Sequence, residues 1–200
     1  MSARGFSNVA GAVLTGGAST RMGTDKAHVA VGGVASATRV ARCLASLCEE
    51  VVLVGGDPPA DAPGRRVPDS EGPRCALRGL VSALDAVRAE RVLVVATDLP
   101  FVSPDLLLAL IAWPEADAVV PRGPDGAHPL CALYRRESAL AAARRHLAEG
   151  RLALSALLGA LAAHYLEGDD LSAIDPDGVA LTNLNTVEDV VRAERITARG

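Results

Sequence analysis

Aromatic side chains are nearly absent from this sequence: one Trp, two Tyr and two Phe stand among 200 residues. A core built without them must be aliphatic, and Ala, Val and Leu supply it. Their scarcity also argues against binding of single-stranded nucleic acid, which relies on aromatic stacking platforms. The net charge is −4, and no run of Lys and Arg is long enough to follow a phosphate backbone. No nucleic-acid partner is expected, and any anionic ligand must be held by local groups. The four cysteines, Cys43, Cys48, Cys75 and Cys131, form no CxxC pair and no zinc-like set with His. Buried, reduced thiols are expected. No run approaches the ~20 apolar residues of a membrane span, and the first residues carry no apolar leader. The expectation is a cytoplasmic, soluble monomer without membrane contact.

Lysine is rarer still. Of the 20 basic residues only Lys26 is a lysine, and it stands inside the glycine-rich stretch "AVLTGGASTRMGTDKAHV". An arginine's planar fork could not replace a compact ammonium at a crowded phosphate without changing the geometry.

Hydrophobic residues make up 50% and charged residues 22% of a length that suits one domain. "NVAGAVLT" reads as a buried strand, and "ASATRVARCLASLC" as a helix with Val40, Cys43, Leu44 and Leu47 on one face. "EEVVLVGG" is a second strand, followed by a Pro- and Gly-dense loop with a short strand around "RRVPD". "RCALRGLVSALDAVRAE" reads as a helix, and "RVLVVATD" as a central parallel strand. "SPDLLLALIAW" is a helix capped by Ser103, with Pro104 at its first position. Alternation of strand and helix predicts an α/β, Rossmann-like fold: a mostly parallel sheet with helices on both faces. In the second half, "ADAVVPR" and "PLCALYRR" read as two strands joined by "GPDGAH", close enough to be antiparallel. Helices over "ESALAAARRHLAEG" and "LALSALLGALAA", a strand at "AHYLE", the segment "ALTNLNT" and a helix "TVEDVVRAERI" capped by Thr186 complete the chain.

Open α/β sheets bind ligands in the loops that leave the carboxyl ends of parallel strands. Gly16 and Gly17 follow the first strand and let backbone N–H groups close on an anion. Arg21 and Lys26 would place positive charge at either end of a polyphosphate. The loop lacks the Walker spacing, because Thr24 and Asp25 separate Gly23 from Lys26, and it lacks G-x-G-x-x-G.

"LTGGASTRMGTDKA" resembles the signature L-A-G-G-x-S-x-R-M-G-x-D-K of the molybdenum cofactor guanylyltransferases, with Leu14, Gly16, Gly17, Ser19, Arg21, Met22, Gly23, Asp25 and Lys26 in step. Thr15 stands where alanine is usual. The resemblance implies a nucleotidyltransferase domain over 1–200, with a nucleotide-binding part at 8–112 and an acceptor-binding part at 113–200. It implies that Leu14, Thr15, Gly16, Gly17, Arg21 and Lys26 bind nucleotide, and the double glycine favours GTP over CTP. "VVATDLPFVSP" puts Asp98 at the carboxyl end of the best strand, and Asp98-Leu99-Pro100 is similar to the family's D-x-P, whose aspartate holds catalytic Mg2+. "TNLNTVED" resembles N-x-N-T-P-E-[DE], with Val187 for the proline. Asn185 would then reach the metal, and Asn183 the acceptor or phosphates. Either asparagine could instead form a turn before the last helix. Asp69 matches an aspartate beside guanine and ribose. The Gly72-Pro73 segment departs in spacing before Gly79-Leu80. His128, in "HPLCALYRR", would lie near the pterin, or serve as a surface loop histidine.

The implied reaction moves GMP from Mg-GTP to the phosphate of molybdopterin or the molybdenum cofactor, with Arg21, Lys26 and Asp98 as the catalytic set. A molybdoenzyme or chaperone is a possible further partner. The alternatives are a cytidylyltransferase on the same cofactor, a sugar-phosphate nucleotidyltransferase, and a nucleotide-binding regulatory module without turnover.

Overall fold

The computed structural model describes Phe6 and residues 8–16, 26–72, 75–113 and 115–198. Strand β1 (Val9–Leu14) is buried along its whole length, as its unbroken apolar run requires of a strand covered on both faces. A single 3₁₀ turn (Lys26–His28) leads into a hairpin of β2 (Ala30–Val31) and β3 (Val34–Ala35). Gly32 and Gly33 join the two strands with φ of 58° and 73°, the left-handed pair that a tight hairpin turn demands. Helix α1 (Ser36–Ala45), β4 (Val51–Val54), β5 (Arg65–Val67), α2 (Ala76–Ala86), β6 (Arg91–Ala96) and α3 (Pro104–Ile111) follow. Next come β7 (Ala118–Gly123), β8 (Gly126–Ala127), β9 (Cys131–Arg135), α4 (Arg136–Ala148), α5 (Leu154–Gly159), β10 (Ala163–Leu166), α6 (Gly168–Ile174) and α7 (Val187–Thr197).

Among the described residues the main sheet has eight strands, in the order β10-β7-β9-β6-β1-β4-β5, with β8 paired to β7. Strands β5, β4, β1 and β6 run parallel, β9 is antiparallel to both β6 and β7, and β10 is parallel to β7. This is the expected mostly parallel sheet with antiparallel strands in its second half. The alternating side-chain directions of the strands build two aliphatic layers. Ala10, Ala12 and Leu14 of β1 face α2, α4 and α5, while Val9 and Val13 face α1 and α3. Helices therefore cover both faces. Tyr134 is the aromatic exception, fully buried with its hydroxyl donating to the Pro129 carbonyl at 2.7 Å.

Leu14 pairs with Val54 on one side and Ala96 on the other, so three parallel strands end level. The chain runs from β1 outward to β4 and β5, then returns to β6 on the opposite side of β1. Strand order reverses at β1, and a crevice opens above the level ends.

Several elements differ from their sequence-based bounds. The helix predicted to reach Glu90 stops at Ala86, where Val87 turns extended, and the one predicted over 152–163 occupies only Leu154–Gly159. The "GPDGAH" turn contains β8. The β2–β3 hairpin and α6 were not anticipated. Ser103 caps α3 by accepting from the Leu106 N–H at 3.2 Å, as predicted. Among the described residues no helix is long and apolar enough to cross a membrane.

Candidate active site

The crevice is a cleft of about 700 Å³, within the range of small-molecule sites, walled by Leu14, Thr15, Gly16, Gly55, Asp69 and Asp98 among others. Its floor is tied together by backbone. The N–H groups of Thr15 and Gly16 donate to the Val54 carbonyl at 2.9 and 3.1 Å. The Thr15 hydroxyl is buried against the carbonyls of Val54 and Gly55. A threonine in the alanine position of the motif thus lashes the β1 loop to the β4 loop.

Sequence reasoning passed over the second glycine pair, Gly55 and Gly56, at the end of β4. Both hold positive φ, 71° and 57°. A Cβ on Gly55 would stand 2.4 Å from Oδ2 of Asp69, one on Gly16 would stand 2.8 Å from the same oxygen, and one on Gly56 would stand 2.6 Å from the Thr15 carbonyl oxygen. Two glycines from different strands therefore make room for one carboxylate. The signal was present in "VLVGGD", which repeats the strand-then-GG pattern of "AVLTGG". Arg78 was also missed. It lines the cleft from the first turns of α2 and donates to the Glu71 carbonyl, inside the segment whose spacing departs from the family pattern.

Lys26, Asp98 and Asn185 come together from three distant parts of the chain. The Lys26 Nζ donates to Asn185 Oδ1 at 2.7 Å and lies 3.6 Å from Asp98 Oδ2. The 3₁₀ turn aims Lys26. Asp98 follows β6 directly, and its carbonyl accepts from the Leu184 N–H at 2.8 Å, which docks the Asn185 segment against it. Asn185 is fixed from its other side by α7. Thr186 caps that helix as predicted, in a capping box with Asp189, whose Oδ2 accepts from the Asn185 and Thr186 N–H groups at 2.9 Å each. These bonds, the Asn185 N–H first, hold the Asp189 carboxyl below its ordinary pKa.

The Asp98 carboxylate and Asn185 amide are hard oxygen donors that meet around one cation, the Lys26 ammonium. Mg2+ is commonly held by one or two protein oxygens while phosphates and water complete its shell. The pair fits that pattern. Among the described residues no cluster of three or more His, Cys, Asp or Glu side chains stands ready to hold a metal without such help.

Of the other sequence candidates, Gly17 and Arg21 lie outside the described residues, as do Ser19, Met22, Gly23 and Asp25. His128 sits between β8 and β9 with its Nε2 3.1 Å from Asp125 Oδ1. It does not border the cleft, although Leu130, two residues on, does. Asn183 is half-buried next to Leu184 and does not border the cleft either.

The doubly wound sheet, with its cleft at the strand-order reversal, is the architecture of a nucleotidyltransferase. Residues 11–165 match the MobA-like NTP transferase domain, and the chain belongs to that family. A Chloroflexus aggregans protein named "Probable molybdenum cofactor guanylyltransferase" is 38% identical over 193 residues, covering 91% of each chain. A Desulfosudis oleivorans molybdenum cofactor guanylyltransferase is 32% identical over 198 residues, covering 96% of this chain and 97% of its own. The crystal structure of molybdopterin-guanine dinucleotide biosynthesis protein A from Archaeoglobus fulgidus superposes with a TM-score of 0.82 at 26% identity, covering 96% of this chain and all of the other.

Proposed function

We propose that this chain transfers GMP from GTP to the phosphate of molybdopterin or the molybdenum cofactor, releasing pyrophosphate. The observation that carries this reading is that Lys26 and Asp98, which line a glycine-walled cleft, meet each other and that Lys26 also holds Asn185 at 2.7 Å. The names of the relatives favour this donor and acceptor.

A phosphate monoester has its second pKa near 6 and is mostly dianionic at neutral pH. The acceptor oxygen can therefore attack the α-phosphorus of GTP directly. One P–O bond forms, the α–β bridge breaks, and its electron pair leaves with pyrophosphate. No general base is needed, so the barrier is repulsion between polyanions, and catalysis is positioning plus charge stabilisation. Asp98 and Asn185 would hold Mg2+, which supplies Lewis-acid counter-charge to the phosphates when bound. Lys26 offers its ammonium to the phosphates at the reacting centre, and Arg21 holds the leaving pyrophosphate. Asp69, in its glycine notch, accepts hydrogen bonds from guanine or ribose. The acceptor part is assigned to 113–200, where His128 and Asn183 remain the candidates for the pterin although neither borders the cleft.

Thermal unfolding with Mg2+ and each of GTP, CTP, ATP and UTP tests the donor. A ligand bound only to the native state raises stability by mass action. A shift with GTP alone is expected. A CTP-selective shift would assign cytidylyl transfer instead, and no shift with any nucleotide would remove the reading.

A further inference from the structure

We infer that Arg39, which does not line the cleft, is the positioning residue that sets the geometry of the Lys26–Asp98–Asn185 centre. The inference rests on the reading of that centre given above.

Arg39 lies one turn into α1, half-buried between two segments that carry the site. Its Nε donates to the Pro100 carbonyl at 3.2 Å and its Nη1 to the Val31 carbonyl at 3.2 Å. The guanidinium carbon stands 5.7 Å from the centre of the Phe101 ring, within cation–π range. One planar side chain thus fastens β2, five residues after Lys26, to the Pro100–Phe101 turn, two residues after Asp98. Three residues earlier on the same helix, the buried Ser36 hydroxyl donates to the Thr97 carbonyl. Helix α1 therefore grips the chain on both sides of Asp98, at Thr97 and at Pro100.

The third member of the centre is held through the same contacts. Phe101 packs in a small cluster with Val29, Val31, Leu184 and Ala193. Leu184 donates its N–H to the Asp98 carbonyl and precedes Asn185. Moving Phe101 would move the segment that aims Asn185. A fork that donates to two carbonyls at once adds direction that a lysine could not reproduce.

The test is steady-state GMP transfer by Arg39→Ala and Arg39→Lys, together with Mn2+ affinity in the presence of GTP, read by electron paramagnetic resonance of free Mn2+. Arg42→Ala is the control, since Arg42 lies on the same helix but pairs at the surface with Asp61. A misplacement of about 1 Å caused away from the chemistry can cost about 10–100-fold. Arg39→Ala should lower kcat and Mn2+ affinity by about that factor, with KM for GTP changed less than about threefold. Arg39→Lys keeps the cation over Phe101 but spans one carbonyl at a time, so it should fold and lose at least about fivefold in kcat. Arg42→Ala should match the parent protein. A lower melting temperature with kcat and Mn2+ affinity at parent values would overturn the inference and leave Arg39 as a brace. If Arg39→Ala does not fold, Arg39→Lys decides by the same criterion. Asp98→Ala, measured alongside, separates two failures. If it keeps full turnover and Mn2+ affinity, the reading of the centre is wrong. If it is inactive while both Arg39 variants behave as the parent, only the inference fails.

Discussion

The ammonium of Lys26 and the amide oxygen of Asn185 meet at 2.7 Å across 159 residues of sequence. The contact closes the fold at its functional end, because it joins the turn after β1 to the cap of the last helix. It also places a single positive charge between an amide and a carboxylate oxygen, at the spot where a nucleotide's phosphates would bring more negative charge.

Replacing Lys26 should therefore cost rate more than stability. Lys26→Ala is expected to lower turnover by at least ~100-fold, the usual scale for a charge-stabilising group at a reacting centre. Lys26→Arg should restore little of it, since the fork needs more room than the ammonium. Steady-state kinetics with a melting curve for each variant checks both statements.

Gly55 predicts a binding defect with a structural cause. Gly55→Ala places a methyl 2.4 Å from the Asp69 carboxylate in a backbone with φ of 71°. The variant should lose about 1–3 kcal/mol of stability from backbone strain. Its GTP affinity should fall at least about tenfold as Asp69 is displaced, a loss of about 1.4 kcal/mol in binding. Calorimetric titration of the variant against GTP measures it.

The capping box of α7 has a defined pH dependence. The folded-state pKa of Asp189 is lowered, first by the Asn185 N–H, so the carboxylate's contribution to stability is present above its unfolded pKa, about 3.9. It is lost as pH falls through the lower folded value. Melting temperature against pH should show a component that sets in as pH falls below about 5 and that Asp189→Asn removes. Thr186→Ala should cost about 1 kcal/mol at neutral pH, the usual price of a lost N-cap.

The thiols of Cys43, Cys48 and Cys131 should be unreactive in the native protein. Burial raises the Cys43 thiol to about 11 and the Cys48 and Cys131 thiols to about 12, so thiolate is scarce at pH 8. Cys75 is half-buried at the edge of the cleft. Alkylation at pH 8 followed by peptide mapping should mark Cys75 first, and GTP with Mg2+ should protect it. Prior unfolding should expose all four.

The parallel half of the fold was legible because each element carried its own signal. "RVLVVA" is a short, valine-rich apolar run of the kind buried on both faces of a sheet, and Ser103-Pro104 and Thr186 announce helix starts. Asp98 was legible from its place at a strand end. The β2–β3 hairpin was harder to see because its strands are two residues long and only Gly32-Gly33 marks the turn. Helix α6 is seven residues long and offers only Leu171 and Ile174, half-buried against the core, so its apolar face is too short to announce it. Arg39 and Gly55 escaped for another reason. Their roles depend on partners, Pro100 and Asp69, brought near only by the sheet order, and one sequence does not print that order.

Transfer of label from [α-32P]GTP to molybdopterin by the purified chain with Mg2+ tests guanylyl transfer most directly. The expected result is one labelled guanine dinucleotide per pyrophosphate released, with CTP inactive as donor and Asp98→Ala at least ~100-fold slower. Pyrophosphate release without a labelled pterin product, or equal transfer by Asp98→Ala, would contradict it.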